Sequence, residues 1–297
     1  MKFMVISCLA AGLLSAATAH AFETAQDATN LTFNAGGRPV LVYRHAGYPF
    51  KPYGAQLCSP AGVAVLRDAP FDHKHHHGLM FALEADGVNF WEEIAPSGRQ
   101  LQCALEPRAD GLTQQLDWQA PASNLVLRET RTLRLQPGLG VTLLTWRTKL
   151  ETPSGRDVVT LTGHHYFGLG ARFVTSMDKG GVFINASGQT GETVCGDERL
   201  VPAKWSAYSA AVGEKPVTVA IFDHPSNPRH PNRMFTMLTP FAYLAATLNL
   251  WKEPYLLKAG QPLSLCYGVA VWDGKVDAAG IEKIYQFWLT RCGIPAP

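Results

Sequence analysis

The chain has 297 residues, with 26 Lys and Arg against 24 Asp and Glu, 10 His and 6 Cys. A formal net charge of +2 gives no strongly basic surface, so we expect neither nucleic acid nor an anionic membrane as a partner, and a small-molecule carbohydrate is favoured. Hydrophobic residues make up 46% of the chain, which is enough for a substantial core.

The N-terminus has the organisation of a secretory signal peptide. Lys2 precedes an apolar stretch at 3–14, and Ala-His-Ala at 19–21 resembles a cleavage site, with 17–19 as the competing site. The apolar stretch is shorter than the ~20 residues that a membrane-spanning helix needs. We therefore expect residues 1–21 to be a signal peptide and residues 22–297 to form one domain. The mature protein would then be periplasmic or secreted, with no membrane attachment.

The densest polar segment lies at 68–78, where a proline and a glycine predict a loop. Its four histidines, His73, His75, His76 and His77, are candidate substrate-binding residues, because an imidazole can hydrogen-bond a polyol. In an extended segment His73, His75 and His77 project to one side. These three are therefore the candidate ligands of a transition metal ion, the alternative to a site without a cofactor.

Four more candidate residues follow along the chain. Trp91 precedes two carboxylates and can form a wall on which a sugar stacks. Next come His164 and His165, which would face opposite ways in a strand. Arg172 can bind a carboxylate or paired hydroxyls through two hydrogen bonds. The glycines between these residues permit a close approach of the backbone.

The two last candidate segments surround turns. A proline-rich loop at 224–233 carries Arg229 and His230, the side chains there that we expect to contact a ligand. Glu253 lies between two aromatic residues, and burial there would suit it to acid–base catalysis.

Most of the remaining chain alternates apolar and polar residues with the period of two that predicts β-strands. The clearest runs lie at 125–135, 144–150, 217–222 and 263–271. The predicted fold class is therefore all-β, a large antiparallel β-sandwich.

One stretch predicts a C-terminal helix that covers a sheet. Ile281, Ile284, Tyr285 and Trp288 have helical spacing, and Asp277 precedes them as a candidate N-cap.

The order of these motifs resembles that of an uncharacterised bacterial family often labelled PmoA-like. The resemblance rests on motifs at 67–78, 88–91, 167–173 and 227–231, and it runs over nearly the whole mature chain.

A second resemblance is to the aldose mutarotases, whose active-site strand carries a His-x-Tyr-Phe-Asn-Leu signature. The segment 164–169 is similar, with Gly168 in place of the Asn. This resemblance implies a supersandwich of the galactose mutarotase-like type. It also implies that His164 has the place of the general-acid histidine, and that Glu253, before a turn at 257–261, has the place of the catalytic glutamate.

We infer three alternative functions. The first is an exported carbohydrate-active enzyme of the epimerase, lyase or hydrolase type, with His164 or His165 as acid and Glu253 as base, and with the sugar stacked on Trp91 or Trp251. The second is a metal-dependent enzyme or metal-binding protein. The third is a non-catalytic sugar-binding protein with the same cleft.

The hypothesis of one shared site depends on distant segments of the chain meeting in the fold. It requires His75, His165, His230 and Glu253 to converge on one concave face.

Overall fold

The computed structural model describes residues 22–178 and 180–293. The predicted signal peptide at 1–21 lies outside these residues. The first strands in chain order are β1 (Glu23–Gln26), β2 (Asn30–Ala35), β3 (Arg38–Arg44), β4 (Tyr53–Leu57), β5 (Leu79–Ala82), β6 (Glu84–Ala85), β7 (Val88–Asn89), β8 (Arg99–Arg108), β9 (Gly111–Gln119), β10 (Leu125–Gln136) and β11 (Thr142–Glu151). They are followed by β12 (Val158–Thr162), β13 (Gly168–Arg172), a 3₁₀ turn (Thr175–Met177), β14 (Val182–Asn185), β15 (Glu192–Thr193), β16 (Arg199–Pro202), β17 (Trp205–Val212), β18 (Lys215–Asp223), β19 (Arg233–Met237), β20 (Tyr243–Thr247), β21 (Tyr255–Lys258), β22 (Leu263–Asp273) and α1 (Ala278–Arg291).

Across the described ranges these strands form three antiparallel sheets. The first has ten strands in the order β1-β2-β3-β4-β5-β13-β20-β19-β16-β15. The second has eight strands in the order β14-β17-β18-β22-β11-β10-β9-β8. A small third sheet has the order β21-β12-β6-β7. The four runs predicted to be strands lie within β10, β11, β18 and β22, so the period-two pattern identified them correctly.

The two large sheets pack face to face around a shared core. Aromatic rings meet between them: the Tyr43 and Trp146 centroids are 6.4 Å apart, and those of Phe81 and Trp118 are 6.2 Å apart. The predicted fold class, a large antiparallel β-sandwich of the supersandwich type, is confirmed by this arrangement. Within the part of the chain that the structure describes, no helix is both long and apolar enough to span a bilayer.

The C-terminal helix is also confirmed, and it covers the outer face of the second sheet. The Asp277 side chain accepts a hydrogen bond from the backbone N–H of Gly280 at 2.8 Å, as expected of an N-cap. Ile281, Tyr285 and Trp288 are buried against β11, β17, β18 and β22. The helix and sheet therefore bury a second, smaller apolar cluster.

A buried ion pair joins the two large sheets. Glu129 and Arg131 both lie on β10, and their side chains are fully buried and 2.8 Å apart. Arg131 also donates to the Tyr43 hydroxyl at 3.1 Å, to the Pro52 carbonyl at 2.9 Å and to the Gln100 amide oxygen at 3.0 Å. With its two bonds to the Glu129 carboxylate, the five N–H groups of the guanidinium are all used.

We expect Glu129→Ala to lower the free energy of unfolding by about 3–5 kcal/mol, because it leaves the Arg131 charge buried without its counter-ion. Chemical denaturation followed by tryptophan fluorescence measures this loss. Glu151→Ala is the matched control, because its exposed pair with Lys149 is expected to contribute less than about 1 kcal/mol. Equal losses in the two variants would contradict the role assigned to the buried pair.

Candidate functional site

The histidine-rich segment at 68–77 forms a turned loop, which we call the excursion. Its two ends meet in a β-bridge between Asp68 and His77. Inside it, the N–H of His76 donates to the carbonyl of His73 at 2.9 Å. Gly78 follows this bridge. A side chain does not fit at its position, because a Cβ there would lie 2.2 Å from a carbonyl oxygen of β4. The predicted loop is confirmed, but the extended alternation of its histidines is wrong, since the backbone turns.

Three of the four histidines pack together. The ring centroids of His73 and His76 are 4.7 Å apart, and those of His75 and His76 are 4.5 Å apart. The cluster leans on Phe241, 5.2 Å from His76, and on Trp91, 5.2 Å from His75. These three rings therefore share one environment, which is aromatic.

The fourth, His77, belongs to a separate charged network. Its Nδ1 is 2.6 Å from Asp68 and its Nε2 is 3.0 Å from Glu93, while Lys51 is 2.8 Å from the same glutamate. Tyr53 stacks on the imidazole at 4.2 Å. Burial alone would lower the pKa of His77, but the hydrogen bonds to the two carboxylates outweigh burial and raise it. His77 therefore holds the loop in place rather than facing a ligand.

The predicted metal site of His73, His75 and His77 is not formed. Both ring nitrogens of His77 bind carboxylates, and an imidazole with neither nitrogen open cannot ligate a metal. Among residues 22–178 and 180–293, no group of three or more His, Cys, Asp or Glu side chains is arranged to hold a metal ion.

The three packed histidines line a pocket of about 330 Å³ on one face of the ten-stranded sheet. We call it the histidine pocket. Its other walls are mainly aromatic, formed by Trp91, Tyr166, Phe235, Phe241 and Tyr243, and they are completed by Glu92, Glu198, Met237 and Pro240.

A glycine in β13 makes room for one of these walls. The Tyr243 ring lies across Gly170, where a Cβ would be 1.8 Å from the tyrosine hydroxyl. The sequence predicted that the backbone comes close to a neighbouring group at these glycines. At Gly170 that neighbouring group is the Tyr243 side chain.

Buried polar atoms without hydrogen-bond partners are concentrated at the histidine pocket. Ten such side-chain atoms occur in the described residues. Four of them have no ion-pair partner either and belong to residues that line the pocket or support its wall: His76 Nδ1, Trp91 Nε1, Arg172 Nε and Tyr243 Oη. Since an unsatisfied buried polar group is costly, this concentration favours a ligand that is rich in hydrogen-bonding groups.

A histidine–glutamate pair lies at the rim of the pocket. His165 Nε2 is 2.9 Å from a carboxylate oxygen of Glu198, and Glu198 lines the pocket. The ring of His165 contacts Tyr166 at 5.0 Å and Phe235 at 5.5 Å. Burial lowers the pKa of His165 even though the Glu198 contact opposes it. The sequence offered no signal for Glu198, which stands among small and charged residues with no aromatic neighbour.

The neighbouring His164 does not enter the pocket. His164 and His165 lie in a turn rather than a strand, with their rings 4.6 Å apart. The prediction that they face opposite ways in a strand is therefore wrong. His164, to which the mutarotase resemblance assigns the acid position, is exposed, whereas His165 is buried.

The two predicted stacking tryptophans differ in exposure, and only Trp91 is fully enclosed. Trp91 is 1% exposed and stacks on Phe167 at 5.0 Å. Trp251 is 37% exposed, but the Lys252 ammonium lies 4.7 Å above its ring and His165 meets it at 5.6 Å. Trp91 is therefore part of the pocket wall rather than a stacking platform.

Arg172 is likewise engaged inside the protein. It is 1% exposed, its guanidinium lies 3.6 Å from the centre of the Phe241 ring, and Asp178 is 3.5 Å away. Burial lowers the pKa of Arg172 to about 10. The expected bidentate contact between Arg172 and a ligand is therefore not formed. Arg172 instead packs against Phe241 and supports the pocket wall.

Two of the remaining candidates, Arg229 and Glu253, line a neighbouring cavity of about 210 Å³, which we call the arginine cavity. Arg229 donates to the Leu248 carbonyl at 2.6 Å and is 3.6 Å from Glu253. His230 is 2.7 Å from the buried Asp223, which fixes the proline-rich loop. The Glu253 side chain is 58% exposed, so the burial that would suit it to acid–base catalysis is not present. The predicted single site is therefore divided into two adjacent ones.

The fold and site together define an all-β sandwich protein with an aromatic pocket that carries histidines and a hydrogen-bonded histidine–glutamate pair. The chain belongs to a family of unknown function (DUF6807), whose model matches residues 30–286. No curated protein sequence matches it. None of these comparisons supports the label PmoA-like.

Several solved structures resemble this one at low identity. The GH36 α-galactosidase AgaA of Geobacillus stearothermophilus, in complex with raffinose, has 11% identity and a TM-score of 0.45; the match covers 85% of this chain and 41% of that one. Slr1438 of Synechocystis sp. PCC 6803 has 10% identity and a TM-score of 0.43, and the match covers 82% of this chain and 87% of that one. A galactose mutarotase related enzyme of Lactobacillus acidophilus has 8% identity and a TM-score of 0.38, and the match covers 86% of this chain and 100% of that one. At these TM-scores the likenesses carry no argument about activity.

The buried histidines make the stability of the fold depend on pH. Burial lowers the pKa of His76 to about 2 from the ordinary 6.5. Below pH 6.5 the unfolded chain therefore binds a proton that the folded chain does not, and stability falls as pH falls. We expect His76→Gln to reduce the slope of unfolding free energy against pH by about 1.4 kcal/mol per unit between about pH 6 and pH 4.

Urea denaturation at a series of pH values measures this slope. Phe241→Leu is the control, because it loosens the same wall without removing a titrating group and should keep the slope of the parent protein. An unchanged slope in His76→Gln would show that this imidazole titrates normally in the folded state.

Proposed function

We propose that this protein is an exported carbohydrate-active enzyme that uses acid–base chemistry on a sugar or sugar derivative. The observation that supports it best is the hydrogen-bonded pair of His165 and Glu198 at the rim of a pocket whose buried polar atoms lack partners. The signal-like pattern at 1–21 supports export to the periplasm or the medium.

The pocket suits a neutral polyhydroxylated ligand. Burial lowers the pKa of His75 to about 4, so both this imidazole and that of His76 are neutral near pH 7. A neutral imidazole offers one donor and one acceptor, which matches the double role of a hydroxyl group. The aromatic walls suit the apolar faces of a sugar ring.

The pair has the geometry of a general base with an orienting carboxylate. An ionised Glu198 only accepts hydrogen bonds, so the Nε2–H of His165 donates to it and Nδ1 is left as the basic atom. Because the pKa of His165 is lowered, this nitrogen is unprotonated near neutral pH. It can take a proton from the substrate, and Glu198 then stabilises the imidazolium that forms. The same proton can return to a leaving or re-forming group, as epimerase, lyase and hydrolase reactions all require.

We expect His165→Gln and Glu198→Gln to reduce turnover by about 10²- to 10⁴-fold while leaving sugar binding largely intact. A panel of mono- and oligosaccharides is incubated with the protein and followed by proton NMR, and binding is measured by calorimetry. Glu214→Gln, at an exposed hairpin turn, is the matched control and should behave as the parent protein.

Two outcomes would contradict the proposal. Turnover that survives both substitutions would remove the pair from the mechanism. Binding without turnover across the whole panel would favour a non-catalytic sugar-binding protein with the same pocket.

A further inference from the structure

The arginine cavity lies on the same sheet face as the histidine pocket. Arg233 and Phe235 are two residues apart on β19, so their side chains share a face and stand about 7 Å apart. Arg233 lines the arginine cavity and Phe235 lines the histidine pocket. On the neighbouring strand Pro202 pairs with Arg233 and Leu200 pairs with Phe235. The two cavities are therefore neighbours on that face.

The polar groups of the arginine cavity are of two kinds. Among the described residues, the Arg233 guanidinium has no hydrogen-bond or ion-pair partner. Asn232 is 1% exposed, its amide N–H₂ donates to Asp223 at 2.8 Å, and its Oδ1 has no partner. A guanidinium without a counter-ion fits an anion, and a buried acceptor without a donor fits a hydroxyl group.

The charge of the cavity favours the same kind of ligand. Arg229 and Arg233 contribute two positive charges, and Glu253, 3.6 Å from Arg229, contributes one negative charge. One positive charge is therefore left over beside an unpaired acceptor. A ligand that carries both a carboxylate and a hydroxyl satisfies both groups at once.

We propose that the arginine cavity is a subsite for a uronic acid unit, and that the protein acts on acidic sugar chains of two or more units. The neutral unit occupies the histidine pocket, the carboxylate of the next unit pairs with Arg233, and one of its hydroxyls donates to Asn232 Oδ1. This inference rests on the proposed function, since it takes the histidine pocket as the reaction site.

The test uses disaccharides matched in linkage, each in a neutral, a uronic acid and a sulfated form, with affinity measured by calorimetry on the full-length mature protein. The uronic acid form should bind more tightly than the neutral form, and added salt should reduce the difference. Arg233→Gln should lower affinity for the uronic acid form about ten- to a hundredfold, and leave the neutral form unchanged. Arg233→Lys should keep part of the preference, because it keeps the charge but loses the paired donors.

Arg128→Gln, an exposed arginine on the other large sheet, is the matched control, and thermal unfolding checks that each variant is folded. Equal affinities for the neutral and uronic acid forms, or an equal loss of both in Arg233→Gln, would overturn the subsite. Equal preference for the sulfated form would overturn the choice of a carboxylate.

The outcomes also separate this inference from the proposed function. If neutral sugars bind and react through His165 and Glu198 while Arg233→Gln matches the parent protein, only the subsite fails. If no sugar form binds, both proposals fail.

Discussion

The buried pair of Glu129 and Arg131 is the constraint on which the relation between the two large sheets depends. A guanidinium in an apolar core is costly unless its N–H groups are paired. Arg131 meets that requirement with partners from both sheets, including the Tyr43 hydroxyl on β3. A slip of one sheet against the other would leave a buried charge unsatisfied, so the pair selects one alignment of the sandwich.

A short series of contacts connects the buried ion pair to the functional site. Arg131 binds the carbonyl of Pro52, and the next residue, Tyr53, stacks on His77 and donates to Asp68 at 2.7 Å. His77 closes the excursion that carries the other histidines. The position of the pocket therefore follows from the core, although no residue of the core pair is close to a ligand.

The sequence predicted the repetitive parts of the structure and missed the parts that depend on long-range contacts. The strands and α1 follow from local periodicity, which a single sequence contains. The direction of each histidine depends on the turn at 69–76 and on carboxylates such as Glu93, and these are fixed only when distant strands pair. Glu198 could not be predicted for the same reason, because its importance comes from meeting His165, 33 residues away.

The pKa values of two adjacent histidines in the excursion are shifted in opposite directions by their surroundings. His76 is buried among aromatic rings, and both burial and the neighbouring cations disfavour its charged form. His77 is equally buried, but it has a carboxylate at each ring nitrogen, and its charged form is favoured.

The histidine pocket therefore lies within a few ångströms of several charges and still presents neutral imidazoles. Its positive neighbours, Lys51 and Arg172, are buried and engaged, whereas Arg233 in the adjoining cavity is not. An anionic group gains most at Arg233, and a neutral sugar ring gains most at the histidines. A ligand with one neutral and one acidic sugar unit would therefore lie across the two cavities in one direction. Its neutral unit would be beside His165 and Glu198, and its acidic unit beside Arg233.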